Sequence, residues 1–104
     1  MAAISKRLAA GTLSDSNGTL YSAPSATGAI TIIKSLALCN VTAGAVTATI
    51  KLNGVEILSG KSLAANETYI LSGLDQVIGA SELIEGSASA AASIKFYISG
   101  KEVT

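Results

Sequence analysis

Histidine and tryptophan are absent from this 104-residue chain, and cysteine, proline and methionine each occur once. Without histidine the commonest general base and a frequent metal ligand are gone, and a lone Cys39 can make neither an internal disulfide nor a zinc site. Aromatic residues amount to 4%, Phe96 and three tyrosines, too few for a sugar platform or a base-stacking surface. Seven basic and seven acidic side chains cancel. That balance withholds the electrostatic footprint of a nucleic-acid binder and offers no basic face to anionic lipid. No apolar run approaches the roughly 18 residues that cross a bilayer. Residues 1–10 carry Lys6 and Arg7 with no hydrophobic stretch behind them, so neither a membrane span nor a signal peptide is expected.

What is present is small and aliphatic: 18 Ala, 14 Ser, 9 Thr and 10 Gly, with 11 Ile, 11 Leu and 5 Val to fill a core. Branching at Cβ suits a half-buried pleated face, so the core is expected to be β and aliphatic. The length fits one domain, with residues 1–13 as a weakly hydrophobic arm and residues 14–104 as the folded body. The arm is expected either to pair as an edge strand or to reach a neighbouring subunit.

Period-two patterning recurs along the body. Val46, Ala48, Ile50 and Leu52 alternate with Thr47, Thr49, Lys51 and Asn53, the pattern of a strand with one wet face. Asn53-Gly54 then offers the two positive-φ positions of a type I′ turn, and a return strand over residues 55–58 follows. Residues 29–40 alternate as well, with Ile30, Ile32, Lys34, Leu36 and Leu38 as the expected inward set. Lys34 interrupts that set and requires a bulge, a bend or a buried stem with its ammonium in solvent. Further strands are expected over residues 18–22, 67–71, 82–89 and 93–103, with Ile94, Phe96 and Ile98 on one face of the last. Residues 74–80 fit either a strand or a crossing loop, and residues 87–93, all Ser and Ala, a small-residue loop. Seven or eight short strands of this kind make an all-β fold, a single antiparallel β-sandwich of jelly-roll or immunoglobulin type.

Chemistry is sparse. The fourteen serines have no base within a recognisable motif and no nucleophile elbow, Asp15-Ser16-Asn17-Gly18 lacks the later ligands of a calcium loop, and Asp75, Glu82 and Glu85 show no glycosidase spacing. Cys39, on a strand among apolar neighbours, reads as a packed small residue. Sequons at Asn17, Asn40 and Asn66 read as turn or strand-end asparagines. No catalytic, cofactor-binding or metal-ligating set emerges, and no enzyme is expected.

Three groups of residues nevertheless form a pattern. Gly18-Thr19-Leu20-Tyr21-Ser22-Ala23-Pro24 leads to Ile33-Lys34-Ser35-Leu36-Ala37-Leu38-Cys39-Asn40. Leu58-Ser59-Gly60-Lys61-Ser62-Leu63-Ala64-Ala65-Asn66-Glu67-Thr68 follows. Ile84-Glu85-Gly86-Ser87-Ala88-Ser89 and Ile98-Ser99-Gly100-Lys101-Glu102-Val103 close the chain. In this order the segments resemble those of small virion proteins of tailed bacteriophages and prophages, over almost the whole chain. The resemblance implies a β-sandwich made in the bacterial host cytoplasm and carried on the virion. Its expected role is a capsid decoration, or cement, protein bound as a homo-oligomer to the major capsid protein lattice, with no nucleic-acid or membrane partner. Residues 1–13 and 18–22 are the expected contact elements. A tail- or fibre-associated module binding through residues 72–81 and 87–93 is the alternative.

Overall fold

The computed structural model describes residues 3–103. Among them are nine strands and no helix: β1 (Ala3–Thr12), β2 (Gly18–Ser22), β3 (Ile30–Asn40), β4 (Val46–Leu52), β5 (Val55–Leu63), β6 (Thr68–Leu71), β7 (Gln76–Gly79), β8 (Leu83–Ala88) and β9 (Ile94–Val103). They form two packed antiparallel sheets, a front sheet ordered β1-β9-β3 with β6 and β7 sharing the far edge of β3, and a back sheet ordered β2-β8-β4-β5. Pairing is nested: β4 with β5, β3 with β6 and β7, β2 with β8, β1 with β9. The chain is thus one long antiparallel ribbon laid alternately into the back and front sheets, and the β3–β9 and β4–β8 pairings close each sheet. That is the jelly-roll form of the sandwich, not the immunoglobulin form.

The count exceeds the expected seven or eight for two reasons. Residues 3–12 of the arm are a full edge strand on β9, and residues 76–79 of the ambiguous stretch are a strand on β3. The ribbon folds back at Asn53 and Gly54, whose φ angles of 49° and 77° are those a type I′ turn needs. The return strand does not stop at Leu58 but runs on to Leu63, with Gly60 at φ 62° and two extra residues accommodated against β4.

Bulges decide which residues face inward. In β3 the register on β9 shifts between Ile33 and Ser35, leaving Lys34 as the extra residue. The expected inward set is therefore right only for Leu36 and Leu38; on the other side of the bulge Thr31 and Ile33 are buried, while Ile30 and Lys34 are exposed. Single insertions in β1 at Leu8 and in β2 at Leu20 likewise let Leu8 with Ala9, and Leu20 with Tyr21, pack against the same core. The core is an aliphatic slab with Ile33, Leu36, Leu38, Ile50, Leu63, Ile84, Ile94 and Ile98 almost wholly buried; Tyr21 and Phe96 add buried aromatic rings, and Tyr69 packs against it half-buried. Residues 89–93 form a loop rather than a helix, tied down by Ser89 N–H donating to the Thr47 carbonyl (2.9 Å).

Asn40 is buried at the end of β3 and does the work of a small hydrogen-bonding hub. Its Nδ2 donates to the carbonyls of Gly44 (2.8 Å), Leu63 (3.1 Å) and Ala64 (3.1 Å), while its Oδ1 accepts from the N–H (2.9 Å) and hydroxyl (2.7 Å) of Thr42. The sequon it heads is therefore structural, joining the β3–β4 loop to the end of β5. Replacing Asn40 by Ala strands several of these backbone groups away from water and is expected to cost about 2–3 kcal/mol in urea unfolding. Gly100 faces the β3 bulge so closely that a Cβ there would overlap the Ile32 carbonyl oxygen. Gly100→Ala is accordingly expected to cost about 3 kcal/mol, whereas Gly44→Ala, where nothing lies within 4 Å of an added Cβ, is the control and should cost far less.

Candidate interaction surface

With one face of each sheet committed to the core, what the protein can do falls to the two outer faces and the open edges. Residues paired across an antiparallel sheet share a face, so the registers fix the outer front face: Arg7, Ala10 and Thr12 of β1, Lys95, Tyr97, Ser99 and Lys101 of β9, Ile30, Ile32, Ala37 and Cys39 of β3, Ile70 of β6 and Val77 of β7. The guanidinium of Arg7 lies 5.8 Å from the Tyr97 ring centre, and Ser35 and Ser99 share a 2.6 Å hydroxyl contact. The outer back face carries Thr19, Thr47, Thr49, Lys51, Glu56, Ser62, Leu83, Glu85 and Ser87.

The faces differ in kind. Of the seven exposed large hydrophobic residues among the described residues, Ile30, Ile70, Val77 and Tyr97 are on the front face and none is on the back face. A shallow depression of ≈ 370 Å³ between β1, β9 and β3 is lined mainly by small and apolar groups, Cys39 among them. Charge divides the same way. The five front-sheet strands hold Lys6, Arg7, Lys34, Lys95 and Lys101 against one carboxylate, Glu102; of the rest of the chain, Lys51 and Lys61 stand against Asp15, Glu56, Glu67, Asp75, Glu82 and Glu85. Lys34 is paired with Asp75 and Lys6 with Glu102, and the back-sheet strands balance Lys51 and Lys61 against Glu56 and Glu85, so the uncompensated charge of the two sheets is the trio Arg7, Lys95 and Lys101 on the outer front face.

The residues singled out in the sequence are scattered. Asp75 meets Lys34 Nζ at 2.6 Å beside the β3 bulge, Glu82 accepts the Gly79 N–H (2.5 Å) in the β7–β8 turn, and Glu85 accepts from Asn17 Nδ2 (3.3 Å) on the back face. The three acids have separate partners. Cys39, read as packed, is half-buried on the outer front face. Ser72–Ser81, proposed as a recognition loop, contains strand β7, while the two expected contact elements, β1 and β2, are the edge strands of their sheets on one side of the sandwich.

One polar cluster escaped the sequence reading. Tyr21 of β2 reaches across from the back sheet, its hydroxyl donating to Glu102 of β9 and lying 3.3 Å from the Thr31 hydroxyl of β3; Lys6 of β1 meets the other Glu102 oxygen at 3.2 Å. Four strands from both sheets are clasped at this end. Only sequence separation hid it, because |i−j| is 81 between Tyr21 and Glu102. Burial, reinforced by the Glu102 carboxylate, pushes the Tyr21 hydroxyl from 10.0 up to about 12, and the hydrogen bond that Glu102 accepts from Tyr21, together with that from the Lys6 ammonium, holds Glu102 below its usual 4.5. Because the folded state keeps the Tyr21 proton more tightly, the clasp's contribution is whole below pH 10 and is lost between pH 10 and about 12. At the acid end it is whole above pH 4.5 and fades as pH falls through the depressed Glu102 value. Tyr21→Phe is expected to remove a tyrosinate absorbance step near pH 12 and to flatten stability against pH above 10. A step that survived the substitution would belong to another tyrosine.

No protein-family model matches the chain, and no curated protein matches it. Among solved structures, the Drosophila NLP core, studied for pentamer formation and histone binding, is similar over 95% of this chain and 100% of its own at 18% identity and a TM-score of 0.55. A structure of infectious bursal disease virus, Gt strain, is similar over 96% of this chain and 30% of its own at 14% identity and a TM-score of 0.43. The first of these likenesses is one of fold.

Proposed function

We propose that this protein is a non-enzymatic structural component of a tailed-bacteriophage virion, a capsid decoration protein that binds the outer surface of the major capsid protein lattice as a homo-oligomer. The observation that carries the reading is the lateral edge formed by β1 and β2. Both are the first strands of their sheets, so the sandwich has one side on which two strands offer unpaired backbone and short side chains. The opposite side is more broken: β5 carries two bulges against one each in β1 and β2, and the edge of β3 is divided between two four-residue strands. Edge strands attach to other chains by extending a sheet, which requires no cleft. On a lattice many such contacts act together, so each can be modest.

The motif resemblance supplies the virion, and the fold is compatible with it, as jelly rolls serve widely as capsid modules. The Drosophila NLP core, alike in fold, is described in terms of pentamer formation, which is in keeping with a homo-oligomeric reading of this sandwich. A basic partner such as a histone suits this chain poorly, because its exposed front face is itself cationic. Two of the carboxylates weighed for catalysis are engaged elsewhere, Asp75 with the Lys34 ammonium and Glu82 with the Gly79 N–H.

Purified protein mixed with undecorated phage heads should co-sediment at a fixed ratio of copies to capsid subunits. Ile4→Asp, on the exposed β1 edge, should weaken retention about tenfold, equivalent to ~1.4 kcal/mol. Failure to co-sediment at any concentration would reject the cement role, and gold label confined to tail tips of intact virions would favour the tail module instead.

A further inference from the structure

The homo-oligomeric part of that reading leaves open which surfaces of two copies meet, and the charge distribution answers it. Front on front would bring Arg7, Lys95 and Lys101 of both copies together with no outward carboxylate to receive them, since Glu102 faces the clasp. Back on back would leave two carboxylates to each Lys51 and would bury threonine and serine while leaving Ile70, Val77 and Tyr97 in water. A two-fold pairing of β1 with β1 would align two strands whose charged residues, Lys6 and Arg7, are all positive. Front on back alone matches opposite charges and covers the apolar face.

We propose that the outer front face of one copy seats on the outer back face of a second copy, with Arg7, Lys95 and Lys101 directed at Glu56 and Glu85 of the receiving copy. On that receiving face, Glu56 of β5, Lys51 of β4 and Glu85 of β8 stand in one cross-strand row, with Leu83 two residues from Glu85 on the same face. The row presents two carboxylates about one ammonium, with Leu83 beside it. The size is that of a modest contact. Four back-sheet strands at about 4.8 Å, averaging about seven residues at about 3.4 Å, give a face of roughly 450 Å², below the roughly 800 Å² per partner of a standard stable interface and in the range of a weak, reversible one. Because the two surfaces differ, the contact is head-to-tail, and each copy keeps one face of each kind for the next. Such a contact closes into a ring or extends as a stack according to the rotation between copies. Strand β1 contributes Arg7 to this contact, whereas lattice binding would use the unpaired backbone along its edge, so the two contacts share a strand but not the same groups.

The test is sedimentation velocity of the purified full chain over a concentration series, with two double variants at exposed or half-exposed positions. Arg7→Glu with Lys95→Glu reverses the front face, and Glu56→Lys with Glu85→Lys reverses the back face. Wild type should self-associate, more weakly as salt is raised. Each double variant alone should associate at least tenfold more weakly, with an unchanged far-ultraviolet dichroism spectrum. An equimolar mixture of the two should regain association, because every front then meets an oppositely charged back. A wild type that is monomeric throughout, a double variant that associates as well as wild type, or a mixture that stays apart would each overturn the proposal. This outcome is separable from the capsid reading: a chain monomeric in solution that still saturates phage heads loses the head-to-tail contact and keeps the decoration role, and a head-to-tail oligomer that ignores heads does the reverse.

Discussion

Everything in this protein depends on keeping two rows of aliphatic side chains in phase across a slab a single residue deep on each side. Branched and leucyl side chains at alternate positions are nearly all the core has, so a slip of one residue in any strand would turn its apolar set to solvent. The extra residues at Leu8, Leu20 and Lys34 show how the phase is managed. At Leu8 and Leu20 the insertion adds a leucine to the core without displacing its neighbour, and at Lys34 it discards a charge that strict alternation would have buried. The bulge at Lys34 also sits where the partner edge breaks between β6 and β7, with Leu74 N–H donating to the Lys34 carbonyl (3.0 Å) and Asp75 pairing with its ammonium. One irregularity thus ends one strand and starts the next.

The same economy shapes the surface. A sandwich with so few aromatics and ion pairs has little with which to build a deep pocket, and its polar groups are occupied in holding loops and sheets together: Asn40 at one end, the Tyr21–Glu102–Lys6 clasp at another. What remains for function is area. The front face offers exposed Ile70, Val77 and Tyr97 among lysines and an arginine, the back face a threonine-rich lattice with carboxylates, and one lateral edge an unpaired strand from each sheet. Broad, shallow, charge-sorted surfaces are suited to assembly with other polypeptides, in which many weak contacts are summed.

Much of the local structure was legible along the chain. The strict alternation of Val46–Leu52 reappears residue for residue in burial, and Asn53-Gly54 forms the turn its φ requirements demand. Strand β9 buries Ile94, Phe96 and Ile98 as its pattern requires. Short or weak signals were harder to read: β7 is four residues long and gains its identity from pairing with β3, and the continuation of β5 through Ser59-Gly60 depends on bulges that only β4 across from it makes worthwhile.

By itself, then, the order of residues determined an all-β, aliphatic sandwich without the groups of a recognisable catalytic or metal motif, because side-chain alternation and turn geometry are local properties that each segment carries alone. The tertiary structure decided the jelly-roll winding, the true inward face of the first half of β3, the Tyr21–Glu102 clasp and the gathering of Arg7, Lys95 and Lys101 onto one outer face. Those features join residues far apart in the chain, and a charge balance that sums to zero along the sequence acquires a direction only when pairing assigns each strand to a sheet and each side chain to a face.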